Sequence, residues 1–156
     1  MPRRRPGTLR ERQLKSRFWE VPPPARIHGL STRTSLLIHR VEGLSTDPYL
    51  FIGATDHALR RYEAFSAPPG LRHRYPQDSE CPCRGCSFAD VRHARDVLDT
   101  VIRQLPRRAR TELGRRVASL DAVYLRRTLP DPFAHRRQWR ADRWWRRRLS
   151  TGRGAG

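Results

Sequence analysis

The large apolar residues of this chain are unevenly placed, and their spacing limits the folds it can adopt. Of its 32 Leu, Ile, Val and Phe residues, 27 lie between positions 21 and 130. Phe51, Ala54, Ala58, Tyr62 and Phe65 follow one another at steps of three or four residues. So do Val91, Ala94, Leu98, Val101 and Leu105, and again Ala109, Leu113, Val117, Leu120 and Tyr124. Each series lays one apolar stripe along a helix. Three such stripes can close one small core. The fold class is therefore mainly α, a small helical domain of about five helices with a cysteine-rich loop.

Local punctuation sets the expected ends. Ser31 or Thr32 and Gly43 bound a short helix over 31–42. The alternation of Leu36, Ile38 and Arg40 leaves an α+β alternative, with a short hairpin in 34–54. Asp47-Pro48 pairs a capping residue with proline at the first helical position, so a helix is expected over 48–65. A strand over 49–52 followed by a helix from Asp56 is the alternative there. Ser87 and Asp90 form a capping box for the next helix, which Pro106 ends. Asp131-Pro132 repeats the start signal and opens a last helix over Phe133–Leu149.

A chain of 156 residues suits one domain with extensions. Residues 1–26 read as a basic, proline-rich arm ending in Pro22-Pro23-Pro24, with Phe18 and Trp19 as a docking anchor. Residues 27–130 form the helical core with the cysteine loop at 81–86. Residues 131–156 carry an Arg/Trp-rich helix and a glycine-rich end.

The formal net charge is +18, and Lys15 is the only lysine among 33 basic residues. A GC-rich coding sequence would account for much of the preference for Arg over Lys, but not for the placement of the charge. Residues 1–20 carry +5, residues 21–80 and 81–105 carry +1 each, and residues 106–156 carry +11. Such segregation favours a polyanionic partner. The densest stretch holds Arg136, Arg137, Arg140, Arg143, Arg146, Arg147 and Arg148 with Trp139, Trp144 and Trp145 threaded through it. Guanidinium forks suit phosphates and indole faces suit bases, so these arginines with Trp139 and Trp144 are the candidate nucleic-acid contacts. The competing reading puts Trp side chains over the core with Arg fanned outward. The thin apolar face of this segment argues against a membrane-surface helix.

Cys81, Cys83 and Cys86 are spaced C-x-C-x2-C. Three thiolates within six residues can converge on one zinc ion, with His93 or His73 as the fourth ligand. In the helical phase of the 91/94/98 stripe, His93 points away from the core, which leaves its ring free. Cys83 to Cys86 is also a C-x-x-C pair ahead of a helix, the pattern of a thiol redox site. A third reading makes these ordinary loop cysteines. The N-terminus lacks an apolar secretory core, and the apolar runs fall far short of a span of about 18 residues, so a cytoplasmic location with reduced thiols is expected.

The six histidines are scattered, and no phosphate-cradling glycine loop or metalloprotease pattern is present. With no catalytic constellation, a non-enzymatic role is expected. A helix-turn-helix over 31–65 fails because its recognition helix would open on Tyr49, Leu50, Phe51 and Ile52. The leading reading is a small basic protein that binds the RNA or DNA backbone and carries a structural zinc. The alternatives are an assembly module docking on an acidic protein partner, and a thiol redox protein.

Overall fold

The computed structural model describes residues 24–70, 72–78, 83–137 and 142–151. The molecule is mainly helical. Its helices are α1 (Thr32–Leu44), α2 (Ala54–Ser66), the single turn α3 (Arg84–Ser87), α4 (Val91–Gln104) and α5 (Arg107–Arg127). Two 3-10 turns follow, Ala134–Arg136 and Trp144–Arg147. Among the described residues the only β pairings are two isolated bridges, Gln77 with Thr151 and Pro130 with Arg148.

The α1 helix starts where its capping residue places it: the Ser31 hydroxyl accepts the Thr34 N–H at 3.2 Å. Because residues 34–44 are helical, the hairpin alternative over 34–54 does not form. The helix expected from Pro48 begins six residues later, at Ala54. Asp47 spends its capping capacity on an isolated turn. Its carboxylate accepts the Tyr49 N–H at 2.8 Å and its carbonyl accepts the Leu50 N–H at 3.0 Å. Gly53 then turns the chain with φ of 95°, a left-handed conformation that glycine adopts without strain. The cap of α2 comes from another helix. Buried Glu42 of α1 accepts the Gly53 N–H at 2.8 Å and the Thr55 N–H at 2.7 Å. A carboxylate there also meets the positive end of the helix dipole.

The two long stripes fold as their spacing dictates. Val91, Ala94, Leu98, Val101 and Leu105 are all buried, as are Ala109, Leu113, Val117 and Tyr124. α2 makes its most extensive contact with α4, and α5 packs across α1, α2 and α4. Ser87 does not cap α4; it ends α3, and Asp90 caps α4 by accepting the Arg92 N–H at 2.9 Å.

Among the described residues the continuous helix expected over Phe133–Leu149 does not form; 3-10 turns stand at Ala134–Arg136 and Trp144–Arg147. Residues 142–151 instead form an irregular strap whose backbone bonds to other segments. The Asp131 N–H donates to the Arg147 carbonyl at 2.9 Å, Leu149 N–H to Leu129 at 2.8 Å, and Thr151 N–H to Pro76 at 3.0 Å. A helix would have consumed those groups internally. The core that results is a helical body closed at one side by the strap, with Trp145 only 2% exposed.

Candidate functional site

The strap is tied to α4 through one carboxylate. Asp96 accepts the Trp145 indole N–H at 2.8 Å on Oδ1, and Arg146 on Oδ2. Arg143 pairs with Asp96 Oδ1 at 3.5 Å. The Arg95 guanidinium stacks 4.2 Å from the Trp145 ring centroid and bonds both oxygens of Asp121 at 2.9 and 3.0 Å. Tyr124 donates its hydroxyl to the Trp145 carbonyl at 3.0 Å. Burial pushes the Tyr124 phenol well above its usual range, so it remains a donor.

This arrangement divides the candidate nucleic-acid contacts. Arg143 and Arg146 face inward to Asp96, and Arg148 donates to the Thr128 hydroxyl at 2.8 Å and to the carbonyls of Leu125 and Thr128. Trp144 is half-buried, edge-on to Tyr124 and Trp145. Arg137 pairs with Asp131 at 3.7 Å. Arg136 and Arg147 are exposed, and Trp139 and Arg140 lie outside the described residues. The strap thus uses much of its charge to hold itself down.

A second basic surface lies on α5. Arg108, Arg115 and Arg126 are exposed, and among the described residues no carboxylate pairs with them. At 3.6 residues per turn the three sit within about 20° of one line, spread over about 27 Å of helix. The exposed residues Thr111, Ser119 and Ala122 between them are small. Arg107 and Arg110 add charge at the N-terminal end, where Arg110 caps the carbonyls of Arg103 and Leu105. The nearest acid, Glu112, is turned to the start of α1, where it accepts from Ser31 and Thr34. Those hydrogen bonds hold its carboxyl below the usual range. The sequence signal for this row was helical phase: positions 108 and 126 are five whole turns apart.

In the cysteine loop, Cys83 caps α3, its sulfur accepting the Cys86 N–H at 3.3 Å, and both side chains are exposed. The chain entering the loop is pinned by an ion pair between Asp78 and buried Arg92 of α4. Cys81 lies outside the described residues. Among the described residues no group of three or more His, Cys, Asp or Glu side chains is gathered to hold a metal ion, so neither His73 nor His93 joins Cys83 and Cys86. The His93 ring does not stand free of the body. It is packed edge-on against Tyr49 at 4.9 Å and Phe88 at 5.1 Å, because the Asp47–Leu50 turn folds over α4. Burial lowers its pKa, and burial also lowers that of His57, on the same Phe88 ring, to about 4. His73 is exposed.

His93 also lines a cleft of about 360 Å³ between α4, the Asp47–Leu50 turn and the strap. Asp47, Asp90 and Asp96 face Arg143 and Arg146 across it, so its charges nearly cancel. Burial pushes the Asp90 carboxyl up to about 6, despite its hydrogen bond from the Arg92 backbone N–H. Asp96 is saturated by the strap, and no Ser, Cys or Lys nucleophile stands beside His93 in the cleft lining except Ser87, on the short α3 turn.

No helix among the described residues is long and apolar enough to cross a membrane. The chain matches no protein-family model, no curated protein and no solved structure.

Proposed function

We propose that this protein binds nucleic acid through the phosphate backbone, with the arginine row of α5 as the principal contact. The observation that carries the reading is the line of Arg108, Arg115 and Arg126, exposed and without carboxylate partners among the described residues. Three like charges along one helix face repel one another, and a phosphate backbone relieves that repulsion. Arg136 and Arg147 extend the cationic surface beyond the end of α5. Residues 1–20, with +5, supply further charge. An acidic protein partner is the second reading, and the same row would steer it.

The test is the salt dependence of oligonucleotide binding. Replacing Arg108, Arg115 and Arg126 together with Gln is expected to lower the log–log salt slope by about 2–3, at roughly 0.9 per lost phosphate contact on duplex DNA. Affinity at low salt should fall across all sequences alike. A slope unchanged by the triple substitution, or wild-type affinity that does not vary with salt, overturns the reading.

We also propose that Cys81, Cys83 and Cys86 hold a structural zinc with a fourth ligand. The N–H of Cys86 aimed at the Cys83 sulfur supports it, since backbone donors stabilise a thiolate at a metal. Native protein should contain about one zinc per chain, and a chelator should lower its unfolding midpoint. Metal-free protein with an unchanged midpoint defeats this part of the reading, and retained thiol–disulfide activity would then favour the redox alternative.

A further inference from the structure

At the C-terminal end of α5 a second chemistry joins the cationic surface. Phe133 is 55% exposed, the most exposed aromatic ring among the described residues. Solvent exposure of a ring this large is unfavourable by about 25 cal/mol per Å² of apolar area. Even so, the backbone that carries the ring is held in place. The Phe133 N–H donates to Asp131 Oδ1 at 2.9 Å, and the Phe133 carbonyl accepts the Arg136 N–H at 2.9 Å. Asp131 is itself buried and anchored, its N–H bonded to the strap at Arg147. The 3-10 turn brings Arg136 back over the ring, with its guanidinium carbon 5.0 Å from the centroid. Arg126 and Arg147, both exposed, and Leu125, 45% exposed, belong to the same end of the molecule. The strap connects them: Arg148 donates to the Leu125 carbonyl at 3.1 Å, one residue from Arg147.

We propose that Phe133, with Arg136 over it, is a stacking platform for an unpaired nucleobase, so the preferred ligand is single-stranded or locally unpaired nucleic acid. This rests on the nucleic-acid reading above and adds to it the state of the strand. A planar aromatic face under the Arg136 guanidinium, at an end of the molecule that also carries the exposed Arg126 and Arg147, matches a ligand that is itself planar and anionic at short intervals. A duplex offers the phosphates but keeps its bases stacked inside. An acidic protein surface offers carboxylates without a planar face to cover the ring. The backbone that carries the ring is bonded into the 3-10 turn before the ligand arrives, so little main-chain freedom is lost on binding.

The test compares Phe133→Ala with wild type on labelled oligo(U), oligo(dT) and a duplex of matching length, by fluorescence anisotropy. Loss of one base stack is expected to weaken single-strand binding roughly 5- to 150-fold. Duplex affinity should stay within about twofold, and the salt slope should not move, because no phosphate contact is lost. Phe133→Trp, which keeps a stacking face, should bind single strands at least as well as wild type. Wild-type binding of oligo(U) or oligo(dT) tighter than that of the duplex supports the platform, whichever single strand is preferred. Equal loss on duplex and single strand, or no loss on either, overturns it. If Phe133→Ala is silent while the triple arginine variant still loses affinity, the platform fails and backbone binding stands. If wild type binds no oligonucleotide at low salt, both fail. Both Phe133 variants should keep the wild-type unfolding midpoint, since the side chain is mostly outside the core.

Discussion

Replacing Asp96 by Ala is expected to cost about 3–5 kcal/mol of folding stability, out of a typical total of roughly 5–15. Asp96 is 9% exposed and receives the indole N–H of Trp145 and the guanidinium of Arg146, with Arg143 nearby. Removing it leaves a buried N–H without its acceptor and a poorly solvated Arg146 with only the more distant Asp90 carboxylate, at 4.0 Å, as counter-charge. Each of those is expensive in a low-dielectric setting. Asp96→Asn keeps an acceptor for the indole and loses only the charge, so it should cost less. Urea unfolding gives the comparison, with the m-value as a check that the unfolded state is unchanged. Tryptophan emission provides a second readout, because a released strap moves Trp145 from the core into water. An Asp96→Ala variant within about 1 kcal/mol of wild type would mean that the strap is held by its backbone hydrogen bonds and the burial of Trp145, without need of the carboxylate.

The second large effect is expected at Glu42. This residue of α1 is 2% exposed, and its two oxygens take the N–H groups of Gly53 and Thr55 while Oε2 also meets His39 Nδ1 at 3.1 Å. Glu42→Ala strips the first turn of α2 of both acceptors. At about 1–3 kcal/mol for each stranded buried donor, the loss should reach about 3–5 kcal/mol. Glu42→Gln retains one carbonyl oxygen but turns an amide NH2 toward a second donor, so it should recover only part of that loss. Amide exchange of Gly53 and Thr55 reads the cap directly: both should exchange much faster in Glu42→Ala than in wild type. Unchanged protection there would show that the start of α2 is held by Ala54, Ala58 and Leu59 packing rather than by the carboxylate.

These two carboxylates also show where sequence reasoning succeeds and where it stops. Spacing of apolar residues identified the buried faces of α4 and α5, because burial periodicity is a local property of the chain. Ser31 marked the start of α1 for the same reason. Asp47-Pro48 carried a genuine start signal, but it started a turn. The cap that decides where α2 begins is Glu42, and its role follows from an approach of α1 to Gly53 that no local pattern encodes. The tail failed similarly. Seven arginines between 136 and 148 are interchangeable as letters, yet Arg146 answers a carboxylate 50 positions earlier while Arg147 points to solvent. Charge density alone therefore does not separate the arginines that tie the strap down from those left exposed on the strap and on α5. On α5, Arg108, Arg115 and Arg126 share one line that emerges only when the helix is given its phase.

The strap gives the molecule a direction in time. Protein synthesis adds residue 145 only after the residues of every helix have been joined, at about 5–20 residues per second. Until then Asp96, Arg95 and the Tyr124 hydroxyl face the growing core without the groups that complete them. A chain stopped by a premature termination codon at position 144 would keep all five helices and lack the keystone. Such a nascent body should be bound by chaperones or degraded instead of accumulating as a slightly shorter protein.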